Sequence, residues 1–240
     1  MAYASGKGHR PVEIIGHRGS PREARENTIA AFRRAFDAGA DGIELDVHGT
    51  ADGIVVVHHD AITNSRPGDS GPKVAIASST FAELRELPIG SERIPSLAEV
   101  FASSPENAVV YVEVKAQGVE QAVVNVLRSV DRRCAVHSFD HRVAKRVHEL
   151  APEIPVGILE TSYPVELLPP MHHVGARDLW QQWELIDAQL VKTVQADGGR
   201  VIAWTVNDPE VARQLLDWDI DGICSDLPAT MRRIADEHGR

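Results

Sequence analysis

Cysteine is scarce in this sequence: Cys134 and Cys224 are the only two in 240 residues. Both lie in apolar runs that read as strands, at no spacing a metal site uses, so they are expected to be reduced core residues and not a disulfide. Positive charge is short too. Lys and Arg total 25 against 35 Asp and Glu, a net charge of −10. That balance repels nucleic-acid phosphates and anionic lipid, so neither is an expected partner. No apolar run approaches the ~18–20 residues of a membrane helix, and Met1–Arg10 lacks the apolar stretch of a signal peptide. A cytoplasmic protein without a membrane anchor is expected. Also missing are a G-x-G-x-x-G dinucleotide turn, a linker, a low-complexity tract and an internal repeat. A small anionic substrate is still open, because a bound cation reverses the local field.

Apolar residues make up 43% of the chain, enough for a sizeable core. Short apolar runs alternate with segments of helical period. Strands are expected at 12–16, 42–47, 109–114, 135–139, 156–159, 174–179, 201–206 and 222–225. Helices are expected at 27–38, 81–87, 119–130, 142–150, 186–196, 209–218 and 231–237, with a short Pro-rich helix ending at Leu168. Ile54–Val57 reads as an excursion beside the second strand, turned by Asp52-Gly53. Asp60–Arg93 is the longest weakly structured stretch. Strand–helix alternation from end to end implies a parallel sheet. Eight units favour a closed (β/α)8 barrel, which typically takes about 250 residues. The expected organisation is a flexible tail over 1–11 and one barrel domain over 12–240.

Catalytic groups of such barrels come from the C-terminal ends of strands. The polar residues there are His17 and Arg18, Glu44 and Asp46, His59 and Asp60, Glu113 and Lys115, His137, Trp204 and Asn207, and Ser225 and Asp226. Glu44 and Asp46 are two apart on one strand and share a face, as do Glu113 and Lys115. Carboxylates in a barrel mouth are costly unless paired or metal-bound. Three oxygen donors on one side describe a site for a hard cation such as Mg²⁺ or Ca²⁺. Structural salt bridging, Glu113 with Lys115 and Glu44 with Arg18, is the alternative. His17 and His59 suit general acid–base work near neutral pH. Arg and Lys around the acids indicate an anionic substrate, most simply a phosphate.

His17-Arg18-Gly19, Glu26-Asn27-Thr28, Glu44-Leu45-Asp46-Val47 and His59-Asp60 together resemble the glycerophosphodiester phosphodiesterase family. Ile94-Pro95-Ser96-Leu97, Glu113-Val114-Lys115, Ser138-Phe139, Trp204-Thr205-Val206-Asn207, Asp221-Gly222-Ile223 and Ser225-Asp226 extend the resemblance over residues 12 to 235. It implies a TIM barrel that hydrolyses glycerophosphodiesters to glycerol 3-phosphate and an alcohol. By it, Glu44, Asp46 and Glu113 are the ligands of one divalent cation, Mg²⁺ or Ca²⁺, with Mn²⁺ also open. His17 and His59 are the acid/base pair. Arg18 and Lys115 contact phosphate, and Trp204 walls the alcohol. His59 is preferred to His58 because it immediately precedes the Asp, and strand alternation separates the two.

The chain departs from the family at Arg25, where Pro is usual, at Ser225, where Thr is usual, and at Asn64-Ser65-Arg66. The segment 60–95 is expected to lie over the active site. Asn27 also reads as a helix N-cap. His48, His137, His172 and His173 have no role by resemblance and read as structural or solvent-facing. The rival readings are a lysophospholipase D-like enzyme on the same barrel, a lapsed barrel that only binds a phosphorylated ligand, and a metal-dependent aldolase or isomerase.

Overall fold

The computed structural model describes residues 12–65 and 71–239. The expected tail over 1–11 and Arg66 lie outside them. The chain runs β1 (Glu13–His17), α1 (Ile29–Asp37), β2 (Gly42–Gly49), β3 (Val55–Val57), α2 (Phe81–Glu86), α3 (Leu97–Ser103), β4 (Val109–Val114) and α4 (Glu120–Ser129). It continues through β5 (Arg133–Ser138), α5 (His141–Leu150), β6 (Val156–Glu160), α6 (Leu168–Val174), β7 (Asp178–Gln182), α7 (Ala188–Ala196), β8 (Arg200–Trp204), α8 (Pro209–Asp217), β9 (Gly222–Ser225) and α9 (Pro228–His238). Strands pair in the order β1-β9-β8-β7-β6-β5-β4-β2, and β2 pairs back with β1. Eight parallel strands therefore close on themselves with helices between them, a TIM barrel. The excursion is β3, antiparallel to the end of β2.

Alternation along each strand sorts the side chains. Ile43, Leu45 and Val47 of β2, and Val110, Val112 and Val114 of β4, face the helices and join the large outer core. Their neighbours face inward. Ile15, Val109, Tyr111, Ala135, Leu159, Trp180, Ile202 and Cys224 fill the barrel interior as a second cluster. Parallel strands buried on both faces need this near-continuous apolar character. Cys134 and Cys224 are free thiols on β5 and β9, as expected.

The floor of the barrel is polar and closed. Tyr111 donates to Glu13 at 2.6 Å. Arg200 donates to Tyr111 at 3.2 Å and also to Glu13. Arg177 grips Asp178 through two hydrogen bonds of 2.8 and 2.6 Å.

The expected strands and helices are present, with one helix and one strand displaced, one helix added and one cap shifted by a residue. The Pro-rich helix begins at Leu168 instead of ending there, and it covers the start of the expected strand at 174–179; that strand is found at Asp178–Gln182. Pro169 and Pro170 sit in the first turn, where backbone N–H groups need no intrahelical partner. Helix α3 was not expected; Ser96 and Glu99 build a full capping box at its start. The N-cap of α1 is Thr28, not Asn27. The stretch after His59 is also less loose than its composition suggests. Ile76, Leu84, Ile89 and Ile94 pack with Val56 into a small core of their own.

Candidate active site

Strand register brings the acids and histidines together in the barrel mouth. His17 of β1 pairs with Glu44 of β2. Asp46 pairs with Glu113, and Glu113 with His137 of β5. All of these are inward positions; Glu44 is in register with Tyr111 of the apolar layer, and Asp46, Glu113 and His137 stand two residues further along their strands. Glu44, Asp46, Glu113 and His137 are buried.

Asp46 is held from three sides. Arg18 Nε lies 3.0 Å from its Oδ2, Asn27 Nδ2 donates to it at 2.8 Å, and Lys115 Nζ lies 3.4 Å from Oδ1. Burial alone would raise this carboxyl, but Arg18 and Lys115 outweigh it and bring it down to about 2. Glu113 accepts from Lys115 at 2.8 Å. Glu44 accepts from the backbone N–H of Arg18 at 3.2 Å. The expected alternative of structural ion pairing thus holds for Glu113 with Lys115. For Glu44 the contact is with the Arg18 backbone, while the guanidinium turns to Asp46 and Glu26.

Two of the three acids remain electrostatically unfavourable. Burial pushes Glu44 well above the usual carboxylate range, and Asp46 and Glu113 push the same way. Burial and Asp46 raise Glu113 to about 7, with Lys115 opposing. A cation among these oxygens would remove both penalties. One ligand atom each from Glu44, Glu113 and His137 lie within 4.8 Å of one another, a geometry that one metal ion can span. The donor set therefore fits a divalent cation. Sequence reasoning gave His137 no such place, because nothing in a linear pattern shows that β5 brings it level with Glu113.

Each of the two expected acid/base histidines carries a carboxylate on Nδ1. His17 contacts Asp226 Oδ1 at 2.7 Å, and Asn207 donates to the other oxygen of Asp226 at 2.8 Å. His59 contacts Asp60 Oδ1 at 2.7 Å, and Ser65 donates to Asp60 Oδ2 at 2.9 Å. This orients Nδ1 as the protonated nitrogen and leaves Nε2 for chemistry. His59 Nε2 lies 3.3 Å from Lys115 Nζ. Burial lowers the His59 ring, favouring its neutral form. His58 points elsewhere, with its Nδ1 2.8 Å from the Asp60 carbonyl. The two rings thus make different contacts, but both lie just beyond β3, which ends at Val57.

Backbone conformation explains part of the His-Arg-Gly pattern. Gly19 has φ +91°, and a Cβ there would fall 2.5 Å from the Ala31 carbonyl carbon. Arg18 and Asn27 are left-handed at φ +51° and +56°, at a cost of about 1–2 kcal/mol each. Both touch Asp46, so two of the four left-handed non-glycine residues among the described ones fix the central acid. Sequence reading missed Asn27 in this role, and gave Asp60, Asn207 and Asp226 none. Trp204 ends β8 and meets Phe139 edge-on at 5.4 Å.

A closed α/β barrel with buried acids, oriented histidines and cations at the C-terminal ends of its strands is a TIM-barrel enzyme. The chain belongs to the glycerophosphoryl diester phosphodiesterase family, whose profile matches residues 17–230. It is 31% identical to the glycerophosphodiester phosphodiesterase of Caldanaerobacter subterraneus over 245 residues, 94% of this chain and 98% of that one. The solved Oleispira antarctica phosphodiesterase, in complex with the product sn-glycerol-3-phosphate, superposes with a TM-score of 0.86 at 28% identity, covering 93% and 96% of the two chains. The Thermotoga maritima glycerophosphodiester phosphodiesterase superposes with a TM-score of 0.82 at 26% identity, covering 95% and 100%. Among the described residues no helix is long and apolar enough to cross a membrane.

Proposed function

We propose that this protein hydrolyses a small glycerophosphodiester to glycerol 3-phosphate and an alcohol, as a cytoplasmic enzyme. The observation that carries the reading is the pair of histidines, each with a carboxylate on Nδ1, beside buried acids. Glu44, Asp46 and Glu113 would hold one divalent cation, Mg²⁺, Ca²⁺ or Mn²⁺. When bound, the cation supplies charge neutralisation at the phosphate oxygens. Arg18 and Lys115 hold the phosphate by charge-assisted hydrogen bonds. One of His17 and His59 takes a proton from the nucleophile, whose oxygen bonds to phosphorus; water gives glycerol 3-phosphate directly, whereas the glycerol's own hydroxyl gives a cyclic phosphate that water then opens. The bond from phosphorus to the alcohol oxygen breaks, and the other histidine protonates that oxygen. Trp204 lies against the alcohol. Ile89 lines a small recess with His58, His59 and Asn27, which supports the segment 60–95 as a wall of the site. The product seen in the Oleispira antarctica enzyme supports the same substrate class.

A lysophospholipase D-like activity is the second reading. Phe139, Tyr163 and Val165 are exposed after the C-terminal ends of β5 and β6, apolar side chains that suit an acyl chain. The deciding assay compares glycerophosphocholine, glycerophosphoethanolamine, a long-chain lysolipid and bis(p-nitrophenyl) phosphate, with and without EDTA. Turnover of the small diesters that EDTA abolishes and divalent cations restore is expected. Equal or faster lysolipid turnover would select the second reading, and full activity in metal-stripped protein would sink the cation.

A further inference from the structure

One buried side chain in the mouth has no part in the chemistry above. His137 is 1% exposed, yet neither ring nitrogen has a hydrogen-bond partner. A buried polar group left so costs about 1–3 kcal/mol, and interiors rarely tolerate it without a reason. The ring is not loose. It stacks on Trp180 with centroids 4.2 Å apart and planes 13° from parallel. Its Nε2 lies 3.9 Å from Glu44 Oε1, too far for a hydrogen bond.

That spacing suits a shared ion. One atom each of His137, Glu44 and Glu113 lie within 4.8 Å of one another. Opposite ligands across one divalent ion are about 4.0–5.2 Å apart, twice the ordinary bond lengths. Asp46, the third acid, is oriented by Arg18, Asn27 and Lys115, and its buried Oδ1 has no hydrogen-bond partner, so His137 adds a nitrogen to a set of three carboxylates. We infer that His137 is a direct nitrogen ligand of the divalent cation held by Glu44, Asp46 and Glu113, and that it biases the site toward a first-row transition ion such as Mn²⁺ over Ca²⁺ and Mg²⁺. The chemical reason is ligand softness. Ca²⁺ and Mg²⁺ take oxygen donors, whereas imidazole suits first-row transition ions, of which Mn²⁺ accepts oxygen and nitrogen alike and is the weakest binder. The inference rests on the reading of the acids as a cation site.

The test is pulsed EPR on the full chain loaded with one equivalent of Mn²⁺, together with equilibrium binding of Mn²⁺, Mg²⁺ and Ca²⁺. The wild type is expected to show the ¹⁴N coupling of a directly bound imidazole and to bind Mn²⁺ most tightly. His137→Phe keeps a ring over Trp180 and removes the nitrogens, and His137→Gln is the second variant should the larger ring not pack. In either folded variant the coupling disappears and Mn²⁺ binding weakens about tenfold or more, while Ca²⁺ binding changes far less. Should neither variant fold, the coupling must persist in both His17→Asn and His59→Asn, the other histidines of the mouth; its loss in either one would overturn the inference. Stoichiometric Mn²⁺ binding without ¹⁴N coupling would overturn the inference and leave the cation reading standing. Preference of the wild type for Ca²⁺ would overturn the bias. Failure of the wild type to bind any of the three ions would remove both.

Discussion

His17 and His59 are oriented alike but from opposite ends of the chain. One uses Asp226, 209 residues away, and the other uses its neighbour Asp60. If they serve opposite sides of the phosphorus, their roles separate kinetically. Either alanine substitution should lower kcat by roughly 10²–10⁴. On a p-nitrophenyl diester, whose leaving group needs no proton, only the variant lacking the acid should recover. His58→Ala should do little by comparison, since that ring is tied to a backbone carbonyl. The measurement is kcat for the three variants on an alkyl and a nitrophenyl diester. A dead His58→Ala beside a near-normal His59→Ala would reverse the assignment. Tyr111, on the floor, gives a second residue-scale test. Burial and the adjacent Glu13 raise its hydroxyl above the usual tyrosine range. The unfolded chain gives up this proton near pH ~10, while the folded chain keeps it. Above that pH the unfolded state binds fewer protons, so stability falls as pH rises; below it the contribution is complete. Tyr111→Phe should cost about 1–3 kcal/mol at neutral pH. Its deficit against wild type, read from urea midpoints, should shrink above pH ~10. A deficit independent of pH would show that the hydroxyl contributes only packing.

At the scale of elements, α2 and α3 are short helices that depend on their first turns. Thr80 with Glu83, and Ser96 with Glu99, form complete capping boxes. Helices this short are marginal without such partners. Ser96→Ala is expected to cost about 1 kcal/mol, and Ser96→Asp, which can still cap, much less. Equal losses in thermal unfolding of the two variants would argue against the cap. The Ser-x-x-Glu signature of α3 was present in the sequence, but Ile94-Pro95-Ser96-Leu97 was read only as a motif. The Pro-rich helix expected to end at Leu168 instead starts there, with Pro169 and Pro170 in its first turn. The barrel itself was legible, since eight strands in alternation with helices leave few other solutions. So were Glu44 with Asp46 and Glu113 with Lys115, because period two puts each pair on one face. His137, Asn27 and Asp226 were not. Their places depend on register between strands and on a left-handed turn, and neither leaves a periodic trace. Asn27 illustrates the gap. Its type fits a cap as well as an acid's partner, and only the fold shows that Thr28 takes the cap.

For the whole molecule, the mouth stores repulsion that the rest of the barrel sustains. Glu44, Asp46 and Glu113 share a water-poor space with Arg18 and Lys115. Glu44→Gln removes one charge without changing the shape. It should raise the melting temperature of the metal-free protein while abolishing the rise that a divalent cation gives the wild type. That rise corresponds to about 2.7 kcal/mol at an ion concentration 100 times Kd. A variant that still gains stability from the cation would exclude Glu44 as a holder of it. The proposed cation therefore links stability to readiness for catalysis, and scanning calorimetry with and without it measures both.

Strand β9 pairs with β1 on one side and β8 on the other, and the residue that follows it is Asp226. During synthesis at about 5–20 residues per second, His17 leaves the ribosome roughly 10–40 s before Asp226, given the 209 positions between them. For that interval β1 has an unpaired edge, the kind of surface that recruits foreign strands and chaperones. The same few residues end the exposure and complete the histidine. A chain broken off before them lacks both the strand that covers this edge of β1 and the carboxylate on His17.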